Sequence, residues 1–113
     1  MTGPTAKLAR LTALATLRAN HAKAEAAAAA APVRRLEARI AELRRQRASR
    51  SADPPSPATA RAHTAWLRDC DRQLRALTGQ LAHARAEWAT QIDRARFEEG
   101  RRQVLQRMGR QAS

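Results

Sequence analysis

Residues 51–57 read SADPPSP, placing three prolines within four positions. Proline lacks a backbone donor and its ring collides with the preceding helical turn, so no helix or strand interior accommodates such a run. On either side the sequence is helix-forming almost throughout, with 28 alanines and only four glycines in 113 residues. The chain is thereby constrained to two helical arms joined at a proline-rich apex. The expected boundaries are arm 1 over about residues 5–50, the loop over 51–57 and arm 2 over about 58–111, all within a single helical hairpin spanning 1–113. Ser56 followed by Pro57 is the preferred N-cap signature for the second arm, ahead of Thr59. The stretch Thr2, Gly3, Pro4, Thr5 plays the same part for the first.

Apolar residues in each arm fall on a heptad stripe. In the first arm these are Ala22, Ala26, Ala29, Val33, Leu36, Ile40 and Leu43, and in the second Leu67, Cys70, Leu74, Leu77, Leu81, Ala84 and Trp88, with steps alternating between three and four. Folding the arms back about Pro55 sets Leu43 opposite Leu67, Ile40 opposite Cys70 and Ala22 opposite Trp88. The expected fold is therefore all-α: a two-helix antiparallel coiled-coil hairpin with a Pro-rich apex loop. In that register the alanine run 26–31 lets the arms approach where the second carries its bulk. Pro32 either kinks the first helix, by removing the hydrogen bond to the Ala28 carbonyl, or ends it at Ala31.

Past Trp88 the apolar spacing changes. Two successive steps of four, from Ala84 to Trp88 to Ile92, read as a stutter that locally unwinds the supercoil. Ala95, Phe97, Val104, Leu105 and Met108 then pair with Leu8, Leu11, Leu14 and Leu17, whose spacing of three drifts around the helix. Leu11, Leu14, Leu17, Phe97, Val104, Leu105 and Met108 form a stripe wider than one partner helix can cover, which marks them as candidate partner-binding residues. Large apolar side chains are few, with one Phe, two Trp and no Tyr. The isolated hairpin is thus expected to be marginal, and a partner or self-association is expected to complete it.

The composition excludes several classes of function. There is no phosphate-binding glycine loop, no paired zinc-ligand spacing and no nucleophile elbow, so neither an enzyme nor a cofactor is expected. His21, His63 and His83 lie on helices, and Cys70 reads as a seam residue rather than a metal ligand. One cysteine excludes an internal disulfide. No apolar run approaches the ~20 residues of a membrane span. The segment LTALATL at 11–17 has features of a signal or transit peptide, but it is short and contains two threonines. The expected location is the cytoplasm, with peripheral attachment to the inner membrane left open.

The net charge is +12, and 20 of the 22 basic residues are arginine. The bias toward Arg and Ala matches a high-GC bacterial genome, but the excess of positive charge does not follow from it. Seven arginines between Arg34 and Arg50 crowd the half of arm 1 nearest the loop. Arg44, Arg45 and Arg47 are the candidate contacts there to an acidic protein surface or to phosphates. Isolated pairs such as Glu42 with Arg45, and Asp69 and Asp71 with Arg72 and Arg75, read as helix-surface salt bridges. Nucleic acid stays open as a partner, although interleaved aromatics and any recognition module are missing.

A short basic two-helix hairpin carrying ARAEWATQIDRARFEEGRRQVLQRMGRQ at residues 84–111 resembles the flagellar FliJ and type III secretion YscO family. The architectural likeness covers both arms, and the sequence likeness lies mainly in the second. The chain is shorter than typical members, and PPSP at the apex departs from them. The resemblance implies a cytoplasmic export component acting as stalk or escort. Its helical termini would enter the export ATPase, and its loop half would meet the export gate or chaperones. The alternatives are a basic coiled coil associated with nucleic acid and a structural adaptor.

Overall fold

The computed structural model describes residues 3–53 and 55–112. It is an antiparallel helical hairpin of two α-helices, α1 (Gly3–Ser51) and α2 (Ala60–Ala112). Pro32 lies inside α1 and does not end it. The Ala28 carbonyl, which loses its helical donor there, belongs to an exposed residue that water can reach. Five threonines donate their hydroxyls to the carbonyl four residues earlier, among them Thr12 to Leu8 at 2.9 Å and Thr78 to Leu74 at 2.7 Å. This satisfies a polar group within the helix that carries it.

The second helix starts later than the Ser56 cap implies. The Thr59 N–H donates to the Ser56 carbonyl at 3.0 Å, closing a turn, and the first helical bond runs from the His63 N–H to the Thr59 carbonyl at 2.9 Å. Thr59 therefore holds the cap position. Its hydroxyl points back to the Ser56 carbonyl and lies 3.0 Å from the Ser56 hydroxyl, so the two side chains stiffen the turn. The cap expected at Thr2 and the loop residue Pro54 fall outside the described residues.

The hairpin divides into two compact units, Ala31–Arg85 at the apex and Met1–Ala30 with Ala86–Ser113 at the open end. In the apex unit, Val33, Ile40 and Leu43 of α1 and Cys70 and Leu81 of α2 are buried, while Leu36, Leu67, Leu74, Leu77 and Ala84 are half-buried. All of these are the positions expected from the heptad. Arg47 sits on the next seam position and grips Asp71 with two hydrogen bonds, Nε to Oδ1 at 2.9 Å and Nη2 to Oδ2 at 3.4 Å. Arg85 Nη2 reaches Glu37 at 3.2 Å, and the Arg50 guanidinium lies 4.5 Å from the centre of the Trp66 ring.

The pairing differs from the expected register by one heptad. In the open-end unit Lys23 meets Glu99 at 2.6 Å, Arg94 meets Glu25 at 3.7 Å, and a Cβ at Gly109 would lie 4.0 Å from Leu8. These contacts, with Arg47–Asp71 and Glu37–Arg85 in the apex unit, set Leu8 level with Gly109, Ala22 with Ala95 rather than Trp88, and Ile40 with Leu77 rather than Cys70. The cause is electrostatic. Sliding α2 back by seven residues would put Thr78 in place of Arg85, Ile92 in place of Glu99 and Glu87 in place of Arg94. Arg47 would likewise face Thr64 instead of Asp71, so three ion pairs would be lost and Glu25 would face a like charge.

The register is testable by crosslinking. In a Cys70→Ser background, Ala22→Cys with Ala95→Cys is expected to oxidise readily to an intramolecular disulfide, and Ala22→Cys with Trp88→Cys is not. Preferential crosslinking of the second pair would restore the shorter register. Separately, Gly79 lies inside α2 with open space where a Cβ would go. Gly79→Ala is expected to raise unfolding stability by ~1 kcal/mol, measured by urea titration.

Candidate partner-docking face

The seam of the open-end unit is built differently from that of the apex. Its buried α1 residues are all alanine, namely Ala15, Ala19, Ala22 and Ala30. Opposite them, the half-buried positions of α2 are Trp88, Gln91, Ile92, Ala95, Glu98, Glu99, Arg102, Leu105 and Gly109. Trp88, Gln91, Ala95, Glu98, Arg102, Leu105 and Gly109 continue the alternation of three and four, so polar residues enter the seam, while Ile92, four residues after Trp88 as the stutter reading placed it, is half-buried beside them. Of the leucines expected to pair with the end of α2, Leu8 is half-buried against Gly109 and Leu11 and Leu14 share a cleft with Leu105, whereas Leu17 is exposed.

One flank of this seam is a charge network. Arg102 Nε donates to both Glu99 oxygens, at 3.1 and 2.9 Å, and Gln103 Nε2 adds a third donor at 3.1 Å. With Lys23 from α1, these donors hold the Glu99 carboxyl far below its ordinary value, at about 2, the Arg102 hydrogen bond being the largest cause. Reciprocally, Glu99 raises the pKa of Arg102.

The other flank is incompletely satisfied. Glu98 Oε2 and Gln91 Oε1 are buried and have no hydrogen-bond partner. A buried acceptor without a donor costs about 1–3 kcal/mol, so such an atom calls for a reason. Glu98 lines a cleft of about 150 Å³ together with Leu11, Leu14, Ala15, Arg18, Arg101 and Leu105. Leu105 is half-buried there, while Leu11, Leu14, Val104 and Met108 are about half exposed and Leu17 and Phe97 are 67% and 63% exposed. On α1 the run Lys7, Leu11, Leu14, Arg18 keeps to one stripe by steps of four, three and four. On α2 the run Arg94, Phe97, Arg101, Val104, Met108 does likewise. The shared cleft puts both stripes on one face of this unit; Leu17 lies further round α1.

The arginines near the apex are not gathered in this way. Arg45 pairs with Glu42, and Arg47 is committed to Asp71 across the hairpin. Arg44 is exposed. At about 100° per residue, Arg34 and Arg44 lie on one flank of α1 and Arg35 and Arg39 on the other, so they form no continuous patch. Of the expected surface pairs, Asp69 with Arg72 forms at 3.2 Å, whereas Asp71 turns to Arg47 instead of Arg75. Among the described residues no three His, Cys, Asp or Glu side chains are placed to hold a metal ion, and no helix is long and apolar enough to cross a membrane. Compared with protein-family models, curated proteins and solved structures, the chain matches none.

The Glu99 network makes a pH prediction. A carboxylate whose folded pKa is about 2, against 4.5 for an ordinary glutamate, contributes stability that is fully present above pH 4.5 and is lost as pH falls through about 2. Thermal melts across that window should show stability declining with acidity, and Glu99→Gln should flatten part of the decline while lowering stability at neutral pH.

Proposed function

We propose that the protein is a non-enzymatic coiled-coil component of a bacterial flagellar or type III export apparatus, working in the cytoplasm as stalk or escort at the export ATPase. The observation that carries the reading is the open end of the hairpin: Leu14, Leu17, Phe97 and Met108 are exposed while alanine and several polar side chains occupy much of the seam. A small helical protein that spends its bulk on the outside gains by burying it against something else. The resemblance of residues 84–111 to the FliJ and YscO family supports an export ATPase as that partner, with the loop half free to meet the export gate or chaperones.

A second reading, association with nucleic acid, is favoured by Arg34, Arg35, Arg39 and Arg44, which are exposed and have no ion-pair partner among the described residues. Their spread around α1 favours it less than a stripe would, since phosphate tracking needs cations along one path.

The two readings separate experimentally. Changing Phe97 and Met108 to Ser should leave the melting temperature of the isolated hairpin unchanged, and should abolish capture of a purified export ATPase and stimulation of its activity. Nuclease treatment should leave that complex intact. A fall in melting temperature with no detectable ATPase binding to the unmodified chain would replace the export reading with that of a generic basic coiled coil. A complex lost on nuclease treatment, with log-log salt slope of about 0.9 per phosphate contacted, would replace it with the nucleic-acid reading.

A further inference from the structure

The face described at the open end is specific enough to characterise its occupant, on the reading that it is a docking surface for a protein. We infer that it takes an acidic amphipathic helix from a partner protein, seated as a third helix in the groove between the two stripes. The apolar residues and the cations of the face each select one property of that helix. Leu11 and Leu14 line the cleft, and Phe97, Val104 and Met108 stand exposed at helical spacing on the α2 side, which suits a partner with apolar residues every three or four positions. Lys7, Arg18 and Arg101 interrupt those stripes and have no ion-pair partner among the described residues, so the complementary helix carries carboxylates on its flanks. Glu98 also lines the cleft, but its unpartnered Oε2 is closed to solvent and so selects nothing in the incoming helix.

The same cations disfavour a second copy of the chain. A second copy of the chain would bring its own Lys7, Arg18, Arg94 and Arg101 against these cations, with like charge meeting like. An anionic bilayer would also satisfy the cations, and vesicle binding in place of peptide binding is the outcome that would identify it.

The test uses the full chain and three probes: a helical peptide of about 20 residues with a leucine stripe and glutamate flanks; the same peptide with lysine flanks; and phosphatidylglycerol vesicles. Fluorescence anisotropy should show the glutamate peptide binding at least about tenfold more tightly than the lysine peptide. The preference should invert in a chain carrying Arg18→Glu and Arg101→Glu. Both positions are exposed and unpaired in the hairpin, and gain of binding to the lysine peptide shows that the variant is folded. Equal affinity for the two peptides, no binding of the glutamate peptide, or binding of vesicles with concentration-independent indifference to both peptides would overturn the inference, as would dimerisation of the free chain that buries Phe97. If capture of the purified export ATPase is lost with Phe97→Ser and Met108→Ser but survives Arg18→Glu with Arg101→Glu, the proposed function stands and the acidic-helix inference falls.

Discussion

Two helices that meet through alanine can come close together, but they remove little apolar area from water in doing so. That constraint governs the open end of this hairpin. Ala15, Ala19 and Ala22 are the buried α1 residues here, and while Trp88 and Leu105 reach partly into the seam, much of the unit's bulk, in Leu11, Leu14, Leu17, Phe97 and Met108, stands outside it. Cohesion passes to groups that act at the edges of the seam: Lys23 and Arg102 on Glu99, Arg94 on Glu25, and Leu8 over Gly109. The apex unit follows the opposite rule, with Val33, Ile40, Leu43 and Leu81 inside and charged side chains bracing the rim. One chain thus contains a unit organised by burial and a unit organised by charge and close approach.

Charge also settles what burial leaves undecided. A heptad seam keeps its spacing when slid by seven residues, and toward the apex Leu74 takes the place of Leu67 and Leu81 that of Leu74. The positions beside the seam do not repeat in this way. Glu37, Lys23 and Glu25 find opposite charges in one register and a threonine, an isoleucine and a glutamate in the other. Each exposed pair is weak by itself, but the discrimination depends on the difference between registers, and there the pairs act in the same direction.

The two-arm architecture was legible in SADPPSP and in the alternation of three and four, and every expected seam position from Val33 to Leu43 and from Leu67 to Ala84 is covered to some degree. The register was not legible from that pattern, because scoring only apolar residues discards the flanking charges that choose it. The polar seam was hidden for a related reason. Phe97, Val104 and Met108 drew the stripe toward themselves, although counting Gln91, Glu98 and Arg102 as seam positions continues the alternation from Trp88 to Gly109 unbroken. Regularity of spacing was the better guide here than hydrophobicity. The candidate docking residues at the open end were legible as an over-wide stripe; the buried Glu98 acceptor beneath them was not, since nothing in local sequence marks an atom whose partner is missing.

Cys70, the chain's one thiol, is 2% exposed within the apex seam. A thiol reagent can reach it only when the helices there part, so the rate of its modification is a clock for that opening, separate from any event at the two termini. The sulfur that contributes a small apolar surface to the seam is also a built-in chemical reporter of how long the apex stays closed.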